Sequence, residues 1–401
     1  MSITLDAVRQ AHARIAPHIQ FTPFVQSHTL SQQLGCELFI KFENLQFTAS
    51  FKERGALNAL LSSNAAAEQG VIAMSAGNHA QALAYHGERL GVPTTIVMPR
   101  STPNAKVEAT RVFGAEIFLE GAHFDETLRF TEQLAEERGL VLIHPFNDPL
   151  VIAGQGTVGL EMMETQPELD AVIVPIGGGG LMAGVATVVK ALRPEVEVLG
   201  VQMSRFPGAH DGYYATASEA QAVTGTVAEG IAVKTPGDVT LPLVKAHVDS
   251  IHLVDEAAVE QAIFDLLEVE KTVAEGAGAT PLALLRTHPE LASGRRVGMV
   301  LTGGNIDMMV LSSVLQRGMV RSHRLVRMDV EIPDMPGALA QLTSLLGALD
   351  SNIVDIVHQR AFGGSSVRAT VVELVLQLRG QEQRETVTRA LNEAGYTVAR
   401  E

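Results

Sequence analysis

A lysine at the start of a predicted helix is the residue of this sequence best placed for covalent chemistry. Lys52 lies in residues 48–58, where Ser50 is a candidate N-cap and the apolar residues that follow repeat at helical spacing. Lys52 would then lie near the positive end of the helix dipole, where a cation gains no stability. The placement favours a lysine that is neutral or covalently used, as in a Schiff base. Taken alone, it leaves a solvated surface lysine open, because most lysines are solvated.

A run of glycines joins a predicted strand to a predicted helix. The run and the first helical residue are Gly177, Gly178, Gly179, Gly180 and Leu181. Free amides at a helix N-terminus bind anions, so the run favours a phosphate site over a flexible turn. Gly178, Gly180 and Ala183 also match a dinucleotide fingerprint, but Gln202 closes the next strand where an acidic ribose ligand is expected. A nicotinamide oxidoreductase is the alternative that this motif leaves open.

Two further loops follow predicted strands and could contact a ligand. The first offers free backbone amides for a carboxylate and the Asn78 amide as a directional donor. Its residues are Ser75, Ala76, Gly77, Asn78 and His79. The second places the neutral hydroxyl of Thr302 at a strand end. Each loop by itself is equally compatible with ordinary turns, since Gly and Asn supply positive φ.

Composition limits the classes of partner and compartment. The net charge of −15 disfavours nucleic acid and anionic membrane surfaces, so a small metabolite fits better. The single cysteine, Cys36, excludes an intrachain disulfide and favours a reducing cytoplasm. Residues 1–20 show no apolar core typical of a signal peptide. The uncharged run at residues 171–189 contains Pro175 and five glycines, which indicates strand, loop and helix instead of a membrane span.

The elements that must position these residues alternate along the chain. Short apolar strands alternate with helices from residue 37 to residue 316, which predicts an α/β fold with parallel sheets in two lobes. The tail from residue 324 to residue 401 predicts a separate βαββαβ unit of the ferredoxin-like type. A half-open sheet of this kind normally pairs with another copy.

Six motifs in order carry a resemblance to a known family. They are Ser50-Phe-Lys-Glu-Arg-Gly-Ala56, Ser75-Ala-Gly-Asn-His-Ala-Gln81, Gly154-Gln-Gly-Thr157, Gly177-Gly-Gly-Gly-Leu181, Glu275-Gly-Ala-Gly-Ala279 and Thr302-Gly-Gly-Asn305. Together they resemble the threonine and serine dehydratases of the fold type II pyridoxal-phosphate enzymes, over residues 5–317. The resemblance implies a two-lobed catalytic domain at residues 1–320, with a smaller lobe at about residues 45–145 inserted in the larger one.

The resemblance also assigns roles to residues. Lys52 would carry pyridoxal 5'-phosphate as a Schiff base next to Phe51, and Asn78 would hydrogen-bond the phenolic oxygen of the cofactor. The loop from Gly177 to Leu181 would hold the phosphate, and Thr302 would face the pyridine nitrogen. The amides of residues 75–79 would bind the substrate carboxylate. No metal is implied.

The implied reaction is β-elimination from a β-hydroxy amino acid. L-Threonine would give 2-oxobutanoate and ammonia, and L-serine would give pyruvate, with Lys52 as the base. A threonine facing the pyridine nitrogen disfavours transamination. Related serine racemases have a serine at the position corresponding to Ala76, and alanine has no proton to donate, so racemisation is not expected. The preference among threonine, serine and hydroxyaspartate stays open.

The tail resembles the ACT regulatory domain through Asp334-x-Pro336-Gly337. In related enzymes this domain binds amino acids between paired copies, which implies a homodimer or homotetramer. The effector residues implied are Asp334, Gly337, Ala338 and Asn352. A dimerisation module without a ligand is the alternative. A non-catalytic amino-acid sensor is a further class of function, and the presence of both Lys52 and Thr302 argues against it.

Overall fold

The computed structural model describes residues 3–218, 225–359 and 366–400. The chain divides into two compact units, Met1–Asp307 and Met308–Glu401. Within the described residues, no helix is both long enough and apolar enough to cross a membrane.

The first unit is built from strands that are mostly apolar and buried. They are β1 Phe24–Gln26, β2 Glu37–Phe42, β3 Val71–Met74, β4 Thr94–Met98, β5 Glu116–Leu119, β6 Val141–Leu142, β7 Ala171–Pro175, β8 Glu197–Met203, β9 Ser250–Val254 and β10 Arg296–Leu301.

Helices connect these strands. They are α1 Leu5–Ile15, α2 His28–Leu34, α3 Lys52–Ser62, α4 Asn64–Gln69, α5 Asn78–Leu90, α6 Asn104–Arg111, α7 Phe124–Arg138, α8 Pro149–Thr165, α9 Gly180–Leu192, α10 Gly208–Tyr214, α11 Thr240–His247, α12 Glu256–Glu270 and α13 Gly276–Thr287.

The strands of the first unit form two sheets. The larger has the order β1-β2-β10-β7-β8-β9 and is parallel except for β1, which pairs antiparallel with β2. The smaller is wholly parallel, with the order β5-β4-β3-β6. The chain leaves the larger sheet after β2, builds the smaller one and returns at β7. The α/β fold with parallel sheets is therefore confirmed.

Helix α8 is the main element that the sequence patterns did not predict. It begins at Pro149 and is capped by Asp148. The Asp148 side chain accepts hydrogen bonds from the amides of Leu150 (2.7 Å) and Val151 (3.3 Å). The helix is buried from Val151 to Met163, so it has no polar stripe to reveal its period. The uncharged run at residues 171–189 forms β7, a loop and part of α9, as predicted.

The glycines of α8 allow close helix packing. A Cβ atom on Gly154 would lie 2.5 Å from the backbone oxygen of Arg54 in α3. A Cβ atom on Gly184 in α9 would lie 2.6 Å from the backbone nitrogen of Gly156. Gly154 therefore lets α8 lie directly against the helix that begins at Lys52, which explains part of the Gly154-Gln-Gly-Thr157 motif.

The second unit contains α14 Met308–Arg321, β11 Leu325–Pro333, α15 Ala338–Ala348, β12 Asn352–Gln359, β13 Ala369–Gln377, α16 Gln381–Glu393 and β14 Thr397–Arg400. Its antiparallel sheet has the order β12-β13-β11-β14. The predicted βαββαβ order from residue 324 is therefore present. Strand β12 is an edge of this sheet and exposes Val354, Ile356 and Val357.

Candidate active site

Three loops of the first unit begin where parallel strands end. Residues 75–79 follow β3, residues 177–180 follow β7 and residues 302–305 follow β10. Strands β7 and β10 are direct neighbours, so their loops emerge side by side at the carboxyl edge of the larger sheet. Open parallel sheets bind ligands at this edge.

Lys52 is the first residue of α3 and faces these loops. Its Nζ donates a hydrogen bond to the Pro145 carbonyl at 2.8 Å, and it lies 5.3 Å from the centre of the Phe51 ring. The Phe51 amide donates to the Thr302 carbonyl at 3.0 Å, which ties the start of α3 to the loop after β10. The predicted capping role of Ser50 is wrong by one position. Phe51 occupies the cap without a side-chain bond, and Ser50 Oγ instead accepts a long contact of 3.4 Å from the Lys52 amide.

The surroundings of Lys52 make its neutral form more accessible than that of an exposed lysine. Burial lowers the pKa of Lys52 to about 8, and the nearby Glu275 carboxylate partly opposes this change. Burial also lowers the pKa of His79 to about 3 and that of His144 to about 4, with the Lys52 charge adding to both effects. The two imidazoles are therefore neutral near pH 7. Lys52 is the basic group that titrates closest to physiological pH in this cleft.

The glycine loop is held in a shape that admits no side chain at its centre. A Cβ atom on Gly178 would overlap the Phe146 ring, and Gly179 has φ +96°, a left-handed conformation that favours glycine. The Gly178 carbonyl accepts hydrogen bonds from Thr240 Oγ1 at 2.6 Å and from the Gly237 amide at 3.2 Å. Among the described residues, no group accepts from the amides of Gly178, Gly179, Gly180 or Leu181. These amides can bind a phosphate.

The loop after β3 presents a second set of free amides. The Ser75 amide donates to Val97, and the Gly77 amide donates to Ser75 Oγ at 3.3 Å. No described group accepts from the amides of Ala76, Asn78 or His79, which lie at the start of α5. The His79 side chain is buried and its Nε2 donates to the Ile143 carbonyl at 3.1 Å. His79 can therefore contribute its backbone amide to anion binding while its ring packs inside.

Thr302 supplies a buried hydroxyl without a protein partner. It is 2% exposed, and no described group lies within hydrogen-bonding reach of its Oγ1. A buried hydroxyl without a hydrogen-bond partner lowers the stability of the fold, so this hydroxyl is suited to bind a ligand atom. The Lys52 amine, the unpaired amides of the glycine loop and this hydroxyl fit pyridoxal phosphate, for which Lys52 would be the covalent anchor. Thr302 would face the ring nitrogen.

Asn78 is oriented by a residue that the sequence patterns singled out only as part of a motif. Its Nδ2 donates to Glu275 Oε1 at 2.9 Å and to Oε2 at 3.0 Å. Its Oδ1 accepts from Asn305 Nδ2 at 2.9 Å. The signal for Glu275 was its place ahead of a Gly-Ala-Gly-Ala run, which opens α13. Pro145 and Phe146 were also missed, because nothing in their types suggests a ligand site.

The structure separates the implied effector residues of the second unit. Asp334, Gly337 and Ala338 lie between the end of β11 and the start of α15. Asn352 is the first residue of β12, which runs parallel to β11 with β13 between them. Asn352 and Leu325 both pair with Gln377 of β13, so Asn352 lies level with the start of β11. The strand rise puts Asn352 about 30 Å from Asp334 along the sheet. One copy of the unit therefore does not bring the four residues together.

Comparisons with known proteins agree with this geometry. The family model described as pyridoxal-phosphate dependent enzyme matches residues 15–303. An L-threonine ammonia-lyase from Geobacter sulfurreducens is 44% identical over 393 residues, which cover 98% of each chain. The crystal structure of a threonine deaminase from T.th. is 40% identical with a TM-score of 0.72, covering 76% of this chain and 99% of that one. Maize serine racemase is 34% identical with a TM-score of 0.72, covering 80% of this chain and all of that one. The chain therefore belongs to the family of pyridoxal-phosphate dependent enzymes.

Proposed function

We propose that this enzyme is an L-threonine ammonia-lyase, which converts L-threonine to 2-oxobutanoate and ammonia, and also acts on L-serine. The water lost in the elimination is regained when the nitrogen is released by hydrolysis, so ammonia is the only net loss. The observation that carries the proposal is the 44% identity, over 98% of both chains, to a protein named L-threonine ammonia-lyase. The placement of Lys52 beside free anion-binding amides supports it.

In the proposed elimination, Lys52, the loop after β3 and Thr302 have different roles. Bound pyridoxal phosphate delocalises the charge that develops at Cα of an attached amino acid. The Lys52 amine, with its pKa lowered to about 8 by burial, accepts the Cα proton. The amides of residues 76, 78 and 79 bind the substrate carboxylate at the positive end of α5. Thr302, which would face the ring nitrogen of the cofactor, contributes a neutral hydroxyl that, unlike a carboxylate, would not keep that nitrogen protonated.

Racemisation is the second candidate, because maize serine racemase shares 34% identity with this chain. Racemisation needs a proton donor on the face of the cofactor opposite Lys52. Ala76, which we assign to that face, has no proton to donate. We therefore expect negligible D-isomer.

The test is turnover of the purified protein on L-threonine, L-serine and L-threo-3-hydroxyaspartate. We expect 2-oxo acid and ammonia in equal amounts from L-threonine, and chiral chromatography should detect almost no D-amino acid. D-Serine forming as fast as pyruvate would replace this proposal with a racemase. An absence of 2-oxo acid from all three substrates would contradict a β-hydroxy amino-acid lyase.

The lowered pKa of Lys52 predicts how the protein captures its cofactor. Only the neutral amine attacks the aldehyde of pyridoxal phosphate. With a pKa of about 8, roughly a tenth of Lys52 is neutral at pH 7 and most of it at pH 9. The recapture rate of cofactor-stripped protein, followed by visible absorption, should rise about tenfold between these pH values and then level off. A lysine with an ordinary pKa would give a rise of about a hundredfold with no plateau.

We propose a catalytic domain at residues 1–320, with its smaller lobe at about residues 45–145, and an ACT-type regulatory domain at residues 324–401. The separate sheet of β3 to β6 supports the smaller lobe, and the βαββαβ order that begins with β11 supports a regulatory domain from about residue 324. The division of the chain at Asp307 instead groups α14 with the second unit. The single cysteine supports a cytoplasmic location.

A second copy of the regulatory domain would complete its effector site. Antiparallel pairing of two β12 edges places Asn352 of one copy beside the end of β12 in the other, at the end of the sheet where Asp334 and Gly337 lie. The exposed apolar residues of β12, Val354, Ile356 and Val357, favour such pairing. The proposed assembly is a homodimer or homotetramer.

This arrangement predicts an amino-acid effect on the full-length enzyme. A regulatory amino acid should shift the apparent substrate affinity by about 5- to 150-fold, the range usual for coupled sites. Kinetics and light scattering with each of the common amino acids would detect it. Asn352→Ala should abolish the shift, and Asn392→Ala on the exposed part of α16 should leave it intact. If no amino acid changes either the kinetics or the assembly, the unit serves only for dimerisation.

A further inference from the structure

A directional chain of hydrogen bonds runs through the site beside Lys52. Asn305 Nδ2 donates both to the Thr48 carbonyl at 2.8 Å and to Asn78 Oδ1 at 2.9 Å. Asn78 Nδ2 then donates to the Glu275 carboxylate. The Thr48 carbonyl can only accept, so Asn305 turns its Nδ2 toward it. Asn78 therefore offers its Oδ1 to Asn305 and its Nδ2 to Glu275.

Glu275 is fixed firmly enough to set that orientation. It is 9% exposed, and its amide donates to the Gly303 carbonyl at 3.0 Å. A Cβ atom on Gly303 would lie 2.6 Å from Glu275 Oε1, so the loop after β10 packs directly on the carboxylate. The charges facing it are those of Lys52 from α3, Lys106 from α6 and Glu229 from the turn at residues 229–231.

The orientation leaves Asn78 with one uncommitted donor. Both contacts to Glu275 start from the same nitrogen, so one N–H points between the two carboxylate oxygens and the other remains. If the amide were reversed, two donors would face each other at Asn305, and Glu275 would lose the bonds that it accepts from Nδ2. Asn305 and Glu275 together thus fix which end of the Asn78 amide is presented to the ligand.

We propose that Glu275 is a positioning residue, which holds the Asn78 amide so that its free N–H is aimed at the ring oxygen of pyridoxal phosphate. The inference rests on the proposed role of Asn78 as a cofactor ligand. The property of Glu275 that matters for this role is an acceptor oxygen about 3 Å from Asn78 Nδ2, and its negative charge is secondary. Glutamine can supply that oxygen without the charge, whereas aspartate keeps the charge and withdraws the oxygen by one carbon–carbon bond.

The test measures cofactor affinity in the full-length protein. Cofactor is removed and pyridoxal 5'-phosphate is titrated back, with visible absorption as the readout. Asn78→Ala and Glu275→Ala should each raise Kd by about tenfold or more, as expected for hydrogen bonds that involve a charged group. The double variant should bind no more than about threefold worse than either single variant, because both remove one interaction. Glu275→Gln should stay within about threefold of the wild type, since its oxygen still accepts from Asn78.

Further variants show whether a loss of cofactor affinity comes from the position of the Glu275 oxygen, from its charge or from misfolding. Glu229→Gln removes a nearby carboxylate that does not touch Asn78, and should leave Kd unchanged. If Glu275→Ala does not fold, Glu275→Asp should still lose affinity by about tenfold while Glu275→Gln does not. Additive losses in the double variant, or equal losses in the glutamine and alanine variants, would overturn the proposal. Wild-type affinity in Asn78→Ala would instead overturn the proposed ligand role of Asn78.

Discussion

We expect Lys52→Ala to abolish turnover of L-threonine while the protein keeps its fold. The variant loses both the covalent anchor for the cofactor and the base for the Cα proton. The loss should exceed the factor of about 10² to 10⁴ that is usual for a single acid or base. The Phe51 to Thr302 backbone bond and the packing of α3 do not depend on the amine, so circular dichroism and thermal unfolding should stay close to those of the wild type.

The measurement is 2-oxo acid formation in the presence of excess cofactor, with mass spectrometry to detect covalent attachment after borohydride reduction. Lys245→Ala is the matched control, because Lys245 is exposed on α11 in the same unit, and it should retain full activity. Activity of Lys52→Ala above a few per cent of the wild type would exclude Lys52 as the catalytic base.

We expect Arg54→Met to destabilise the first unit strongly. Arg54 is fully buried two residues after Lys52, and its guanidinium binds Glu43 at 2.7 Å and Glu161 at 2.7 Å. Lys41 Nζ also binds Glu161 at 2.6 Å, so the cluster consists of two cations and two carboxylates. Burial alone would raise the pKa of Glu43, but Arg54 and Lys41 lower it below its usual value. Removing Arg54 leaves a buried negative charge without compensation.

The expected loss is about 3 to 5 kcal/mol of unfolding free energy, as for other buried ion pairs that lose one partner. Urea unfolding followed by circular dichroism would measure it. Arg296→Met is the control, because Arg296 forms partly exposed ion pairs with Glu37 and Glu168, and its loss should be far smaller. The double variant Arg54→Met with Glu161→Met restores charge balance, so it should be more stable than Arg54→Met alone. Equal stability of Arg54→Met and the wild type would contradict a structural role for the cluster.

Local patterns were enough to predict most elements of the catalytic unit. Strands such as β3, β4 and β5 are short apolar runs bounded by turn residues, and they lie within the predicted alternation of strands and helices between residues 37 and 316. Lys52 at the first position of α3 was predicted from the helical spacing that follows it. The family followed from six motifs in order, which the match over residues 15–303 confirms.

Other features depend on residues that are far apart in the chain. Helix α8 was not predicted because glycine has a low helix propensity. Its glycines are favourable only in the folded protein, where they let α8 pack closely on α3 and α9. The cluster of Lys41, Glu43, Arg54 and Glu161 looks like surface charge in sequence, since charged residues are mostly exposed. Its burial appears only when β2, α3 and α8 meet.

The roles of Glu275 and Asn352 show where sequence alone stops. Lys52, the glycine run and Thr302 supply an amine, backbone amides and a neutral hydroxyl, and the resemblance carried by six motifs assigned their roles. The bond from Asn78 to Glu275 joins residues 197 positions apart, and no local periodicity encodes such a contact. Asn352 and Asp334 are near each other in the sequence, but β12 runs parallel to β11. Asn352 therefore lies at the opposite end of the sheet from Asp334. The sequence by itself thus determined which groups are present, and only the tertiary structure decided which of them meet, because those contacts depend on how the strands and helices pack.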